Sequence, residues 1–586
     1  MYTTENPDYD VVIMGAGFAG VCQARHLLLK IPNIRVALID PRPEERTEKD
    51  LKIGESTVEV SAMFLCRELG LYEYLIEHQV PKHGLNFHWP KDQATTDSID
   101  DYYSLWTPLN PPIPSFQIDR AKLEQDLLKM NKDLGAVFYN GRVTNVNLTP
   151  ADAVNSVYVK LDTGEIELKA KHIIDAAGRR FIIGRKADNL ILEPENLLGL
   201  NTGSAWVRIK NVDRTIFDDG YDPAGGVASH YYGTNHFFGH GHWLWMIPID
   251  KQSMELSIGV IHHHDVIPAQ DINTLDKFYR FLEKNHNLLY RLVKSGEGID
   301  FHYWPKIAHA SKTVLSQDNW YVIGDAAAMF DAFYSTGMTS IAFTIETVTE
   351  VIRAKLAGEE DAEEKRTLYN EFNLKNMRNT NRLYYQHNKQ LGNASIMSYR
   401  IYLEYMHWFG IVLPIYAGKW HLNLKFLSTF VKTAPLQTKI IIDIYDQLSQ
   451  LVDSDSNIGL MNCYQTHQLL GDYIPLKEFD GFLDEVRFEP YRNNIFGSIK
   501  STYFYLAIWY AKFRWKGFGF FGLISPKHIY RVCQLLVLSG RLALVEAIYK
   551  YKTKGLPSNS KIAQMQQEFK SYQYKPELQP WGENTI

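Results

Sequence analysis

The chain has 586 residues, 45% apolar and 22% charged, the make-up of a folded protein with a large core and about two to four domains. Its 62 basic and 67 acidic residues leave a net charge of −5, which gives no electrostatic case for nucleic acid as a partner. Cys22, Cys66, Cys463 and Cys533 are far apart and form no CxxC pair, which argues against a disulfide framework or a zinc site and suits a reducing cytoplasm.

The opening MYTTENPDYD is polar and acidic, so no signal peptide is expected. YDVVIMGAGFAGVCQARHLL then reads strand, turn, helix. Gly15, Gly17 and Gly20 form GxGxxG around Ala16 and Ala19. In that pattern the first glycine permits the turn, the second admits a pyrophosphate and the third lets helix and strand pack closely. The helix N-terminus then offers free N–H groups to phosphate. RVALID ends at Asp40, placed to accept ribose hydroxyls. A dinucleotide site is expected here.

Further along, FQIDRAKLEQDLL sets Arg120 just before an amphipathic helix, and HIIDAAGRR ends a strand at Asp175. WLWMIP places Trp243 and Trp245 on one face of a strand that stops at Pro248. Such a pair is either core packing or a functional wall. The run His262-His263-His264 reads as a solvated turn rather than a metal site, and no metal is assigned. WYVIGDAAAMFDAFYSTG ends a buried strand at Gly324-Asp325, whose turn can meet a ribityl-pyrophosphate chain.

From about residue 365 the chain is expected to be mostly helical. In the last third, aromatics beside Lys512, Arg514 and Lys516 can pack over the core, seat a helix at a membrane surface or hold an acyl chain. GFGFFG repeats the glycine pattern at Gly517, Gly519 and Gly522, but it follows WYAKFRWK rather than a buried strand and reads as a flexible turn. An NAD(P)H site is therefore not expected. No uninterrupted apolar run reaches the roughly 18 residues of a spanning helix.

In order and spacing, the four nucleotide-type segments resemble the FAD-dependent aromatic-hydroxylase fold. WLWMIP further resembles the WxWxIP signature of flavin-dependent halogenases, complete at Trp243, Trp245, Ile247 and Pro248. Two more marks agree: VPKHGLNFHW carries Lys82 five residues before Phe87, where the family has its catalytic lysine, and Ser335-Thr336-Gly337 matches the family's halide-binding STG. The resemblance spans about residues 8 to 395. It implies an α/β fold, with a Rossmann-like FAD-binding domain, a β-sheet substrate subdomain at about 81–115 and 200–305, and a mostly α-helical C-terminal region. The domain boundaries so implied are 1–395 and 396–586, the second covering the substrate pocket.

For the site, the resemblance implies FAD, used as FADH2, at Gly15, Ala16, Gly17, Ala19, Gly20, Asp40, Arg120, Gly324, Asp325 and Met338. Thr336 and Gly337 hold chloride or bromide. Lys82, Trp243, Trp245 and Ser335 form the catalytic group: the indoles part flavin from substrate, and hypohalous acid reaches Lys82. The partners implied are a separate NAD(P)H-dependent flavin reductase and an aromatic substrate, free or on a carrier protein. Two departures stand out. Asp331-Ala332 replaces Asp-Pro, and Tyr334 stands where tryptophan halogenases have a glutamate, which turns the expectation from tryptophan to a phenol or pyrrole. A hydroxylase, an isoprenoid reductase and a non-catalytic flavoprotein of the same fold stay open, as does a surface position for Lys82.

Overall fold

Val11–Met14 are wholly buried, as the central strand of a parallel sheet must be. This first sheet runs Val137–Asn140, Val36–Asp40, Tyr9–Met14, Gly164–Asp175, Asn155–Leu161, Arg142–Asn147, with Trp320–Val322 also beside Gly164–Asp175. Tyr9–Met14 pairs in parallel with both of its neighbours, and helix Phe18–Lys30 makes the crossover between the first two strands. The computed structural model describes residues 7–47, 53–107, 114–150, 153–217, 229–250, 255–464 and 495–554.

A second seven-stranded sheet runs Glu297–Trp304, Thr202–Lys210, Leu256–His263, His242–Pro248, Thr234–Gly239, Leu85–Pro90, Tyr102–Leu105. Its pairs are antiparallel except Thr234–Gly239 with Leu85–Pro90. Alternation along His242–Pro248 divides two cores. Trp243, Trp245 and Ile247 face the nucleotide half, while Leu244 and Met246 pack with Phe278, Leu289 and Leu292. Gly259 lies opposite Trp245 in the register, and a Cβ there would overlap the indole, so this strand is cut to fit the tryptophan.

Helix Thr336–Leu356 lies on helix Phe18–Lys30, where Thr349 bonds both Gln23 (2.9 Å) and His26 (2.8 Å). The α/β class and the helical C-terminal region agree with expectation: Ala362–Arg382, Ala394–His407, Leu424–Asp453, Ile495–Ile524 and Pro526–Thr553 are all helices.

Two expectations need correction. His262 and His263 are buried in strand Leu256–His263 rather than solvated, and burial pushes each down to about 4, so they sit neutral. GFGFFG is not a free turn. It ends helix Ile495–Ile524, with Gly519 at φ 64° and ψ −165° breaking the helical path. The segment is helical on both sides of Gly519, whose left-handed φ breaks the path as the glycine pattern allows. In the tail, KTKGLPSNSK suggests a loop and YKPELQPWGENTI an extended end, and beyond residue 554 both lie outside the described residues.

Candidate functional site

The glycine turn is built by steric necessity. Gly15 has φ 109°, and a Cβ there would press on the backbone of Ala176 and Ala177. A Cβ on Gly20 would overlap the carbonyl oxygen of Gly15. Gly17 differs, because the nearest atom to its added Cβ is Arg42 Nη2 at 3.6 Å. The turn is therefore tight at both ends and open in the middle, as pyrophosphate approach requires. Gly324, at φ 60°, packs against Ala19, which brings the Gly324-Asp325 turn to the glycine turn across more than 300 residues of chain.

Asp40 is buried, but its oxygens are engaged. Oδ2 accepts from Ala16 N (2.8 Å) and Oδ1 from Arg42 N (2.9 Å) and Nε (3.0 Å). Arg42 and Ala16 hold its carboxyl below the usual range despite burial. The expected ribose acceptor is thus shared with Arg42, which also reaches Glu124 (3.2 Å). Neither Arg42 nor Glu124 stood out in the sequence. Arg120 bonds Glu124 (2.6 Å) and the carbonyl of Ile53 (3.0 Å) and stacks over Phe18, so it holds the 53–57 loop to the glycine turn.

One cavity joins this end to the STG loop. It is lined by Gly324, Asp325, Asp331, Thr336, Gly337 and Ile341 among others. Tyr334 (φ 63°) and Ser335 (φ 56°) are consecutive left-handed residues, strained conformations of a kind found at working sites. The strain turns the chain sharply into helix Thr336–Leu356, whose first N–H groups have no helical acceptor. The positive end of that helix suits an anion at Thr336 and Gly337. Tyr384 fixes the loop through Thr336 Oγ1 (2.7 Å) and the Asp331 carbonyl (3.2 Å). Met338 is buried behind it.

Asp331 ties this loop to the tryptophan pair. Its Oδ1 accepts from Trp243 Nε1 (3.1 Å) and Phe333 N (2.9 Å), whereas Oδ2 is buried with no partner. Burial pushes the carboxyl up to about 7. Trp245 donates separately to Ser257 Oγ (3.0 Å), and the two indoles lie 6.0 Å apart at 53°. Both tryptophans are therefore fixed by their N–H groups.

Lys82 is 1% exposed, which removes the surface alternative. Its Nζ donates to Ser56 Oγ (2.9 Å) and the Thr57 carbonyl (2.7 Å). Burial lowers it to about 7, against the opposing charge of Glu59. Below it the 53–57 loop is anchored by Glu55, which accepts from the fully buried Arg208 (2.7 Å). Phe87, fifth from Lys82, stacks on His236 (5.1 Å), and His236 lies 5.5 Å from Trp243 and 5.2 Å from Phe333. Burial drives His236 to about 3, so it is a neutral spacer. An aromatic layer thus separates the lysine strand from the STG loop.

The C-terminal helices complete the walls. Tyr334 donates to Glu404, which also accepts from Tyr445 (2.6 Å) and Arg400 (2.9 Å). A carboxylate therefore stands behind the tyrosine, delivered by helix Ala394–His407 instead of by the residue before STG. Trp408 Nε1 donates to Glu59 (2.9 Å), and Tyr405 bonds Tyr464 (3.1 Å), which in turn reaches the Leu85 carbonyl. No local motif marked Glu404, Tyr405 or Trp408. The nearest signal was the aromatic density after residue 395. Among the described residues no cluster of three or more His, Cys, Asp or Glu could hold a metal.

Comparison with known proteins places this arrangement. A family model described as tryptophan halogenase matches residues 99–394. The flavin-dependent halogenase chlA of Dictyostelium discoideum is 41% identical over 97% of this chain and 97% of its own. A 1H-pyrrole-2-carbonyl-[peptidyl-carrier protein] chlorinase of Pseudomonas fluorescens is 26% identical over 57% of this chain and 73% of its own. The crystal structure of halogenase PltM with phloroglucinol and FAD superposes with a TM-score of 0.56 at 17% identity, covering 86% of this chain and 96% of that one, and so supports the fold. With the glycine turn, the STG loop and the tryptophan pair gathered in one structure, the chain belongs to the tryptophan-halogenase family of flavin-dependent halogenases.

Proposed function

We propose that this flavin-dependent halogenase acts on an electron-rich aromatic, a phenol, with Lys82 as the residue that delivers the halogen. The observation that carries the reading is the Lys82 amine, buried and lowered to about 7 beside the aromatic layer. The open Gly17, the left-handed Gly324 and the shared cavity fit FAD, held by the 15–20 turn, Arg120 and Asp325. When bound as FADH2, and with dioxygen, it supplies the oxidising power that turns chloride or bromide into hypohalous acid.

The protein's residues do the rest. Thr336 and Gly337 hold the halide at the positive end of their helix, and Ser335 shapes the turn. Trp243 and Trp245 keep the aromatic substrate away from the flavin side. Neutral Lys82 takes the halogen: an N–halogen bond forms as the oxygen–halogen bond breaks, and the displaced hydroxide leaves with an amine proton as water. The aromatic carbon then takes the halogen from nitrogen, and the proton the ring loses makes up the one the nitrogen needs, restoring the neutral amine. Glu59, whose charge is felt at Lys82, takes the phenol proton and makes the ring electron-rich. A separate NAD(P)H-dependent flavin reductase supplies the reduced flavin. A pyrrole on a carrier protein is the second reading, favoured by the chlorinase relative.

Mass spectrometry decides between them. The protein receives FAD, a flavin reductase, NADH, oxygen and chloride or bromide, with phenols and pyrroles offered free and carrier-bound. Halogen isotope patterns on free phenols, lost in Lys82→Ala with flavin oxidation intact, are the expected result. Products only from carrier-bound pyrroles, or an oxygenated product unaffected by the substitution, would overturn the phenol reading.

A further inference from the structure

The helical hairpin formed by Ile495–Ile524 and Pro526–Thr553 is not used by the chemistry above, and its outer side exposes large apolar residues. On the second helix Tyr530, Val537, Leu544 and Tyr551 recur every seven residues, and each is at least half exposed, Tyr551 to 88%. They make one apolar stripe about 32 Å long. At the turn between the helices Trp515, Phe520 and Phe521 cluster outward, with Phe521 83% exposed. Residues 495–554 carry ten lysines and arginines against one acid, Glu546, in a chain whose net charge is −5.

We infer that this hairpin docks on an anionic lipid bilayer, with the helices lying in the plane of the surface. Each observation bears on the choice of occupant. Exposed Trp and Phe at a helix turn match the apolar face of an interfacial helix, which buries such rings at the boundary of headgroups and acyl chains. Lys500 and Lys550 pair with Glu546, and Lys527 and Arg531 with Asp443, while the exposed Lys516, Arg541 and Lys552 match acidic lipid.

Helix Pro526–Thr553 is also long and apolar enough to cross a bilayer, with a mean hydropathy of 1.6, which qualifies the expectation that no segment has that length. Two features favour lying over crossing. Arg541 and Glu546 stand mid-helix, and the inner face is committed to protein, with Leu535 fully buried, Lys500 paired to Glu546 (2.6 Å) and Ser539 bonded to the Lys500 carbonyl (2.9 Å). Only one face is left for lipid.

The test is flotation of the full-length FAD-loaded protein with vesicles of phosphatidylcholine, alone or mixed with phosphatidylserine, at low and high salt. Expected is at least tenfold more protein on the phosphatidylserine vesicles, a loss of most of it at high salt, and a tenfold drop in Phe520→Glu/Phe521→Glu with bound FAD and melting temperature unchanged. A second variant, Val537→Glu/Leu544→Glu, should lose binding to the same extent. No flotation, equal binding to neutral vesicles, or unchanged binding by both variants would overturn the inference. So would a dimer by light scattering that Val537→Glu/Leu544→Glu converts to monomer, because the stripe would then belong to a second copy.

Discussion

The glycine turn and the lysine site are made in opposite ways. The turn is local: Gly15, Gly17 and Gly20 lie within one strand–helix step, Gly15 and Gly20 dictated by what a Cβ would strike and Gly17 by the open space it leaves. The lysine site is assembled from afar. Lys82 is held by Ser56 and Thr57, the tryptophans by Asp331 and Ser257, Tyr334 by Glu404, and Glu59 by Trp408. A phosphate site needs backbone N–H groups in one geometry, which a short stretch can supply. A site that must hold an amine neutral and block a ring needs burial, and burial requires several elements.

That contrast can be broken most severely at the turn. Gly20→Val pushes a side chain into the Gly15 carbonyl, so FAD binding is expected to vanish and stability to fall by about 3 kcal/mol or more, read by flavin absorbance and thermal melting. The distant site should fail differently. Lys82→Ala removes a side chain that touches no part of the turn, so FAD content stays and halogenation falls on the order of a thousandfold.

Glu404→Gln tests whether the C-terminal helix truly serves the STG loop. It leaves the buried Arg400 without its anionic partner, at a cost of about 3 kcal/mol. Halogenation should drop along with the melting temperature, whereas flavin affinity should hold. A variant with normal halogenation would reduce Glu404 to a packing role.

The pH profile sharpens the lysine's part. Lys82 is lowered to about 7, so it is charged below that pH and neutral above it. If the neutral amine carries the halogen, turnover rises as pH climbs through about 7 and then levels, falling about tenfold for each unit below. A lysine acting only as a charged hydrogen-bond donor would give the opposite slope. The smallest effect is expected from Trp243→Phe, which keeps the ring and deletes the bond to Asp331. About 1 kcal/mol of stability and a few-fold rise in halide KM are expected, by melting and steady-state kinetics.

Much of this was legible in the sequence. The strand–turn–helix at 9–30, the second strand ending at Asp40, and the alternation that sends Trp243 and Trp245 one way and Leu244 the other all follow from neighbours along the chain. Lys82, Thr336 and Gly337 follow from the resemblance to the halogenase motifs. The buried histidines at 262 and 263 were misread because a three-histidine run is polar by composition, and only its place inside a central strand makes it core. Around Gly517 and Gly522 the chain is helical although glycine disfavours helix, and only Gly519 breaks the path.

By itself, then, the sequence determined the nucleotide turn, which rests on interactions a few residues apart, and through the resemblance of its motifs it pointed to the α/β class and the family. Only the tertiary structure decided that Lys82 is buried and near neutrality, that Asp331 links Trp243 to the STG loop, and that Glu404 stands behind Tyr334. Desolvation and side-chain hydrogen bonds between distant segments have no local signature, since they depend on which surfaces meet when the sheets and helices pack.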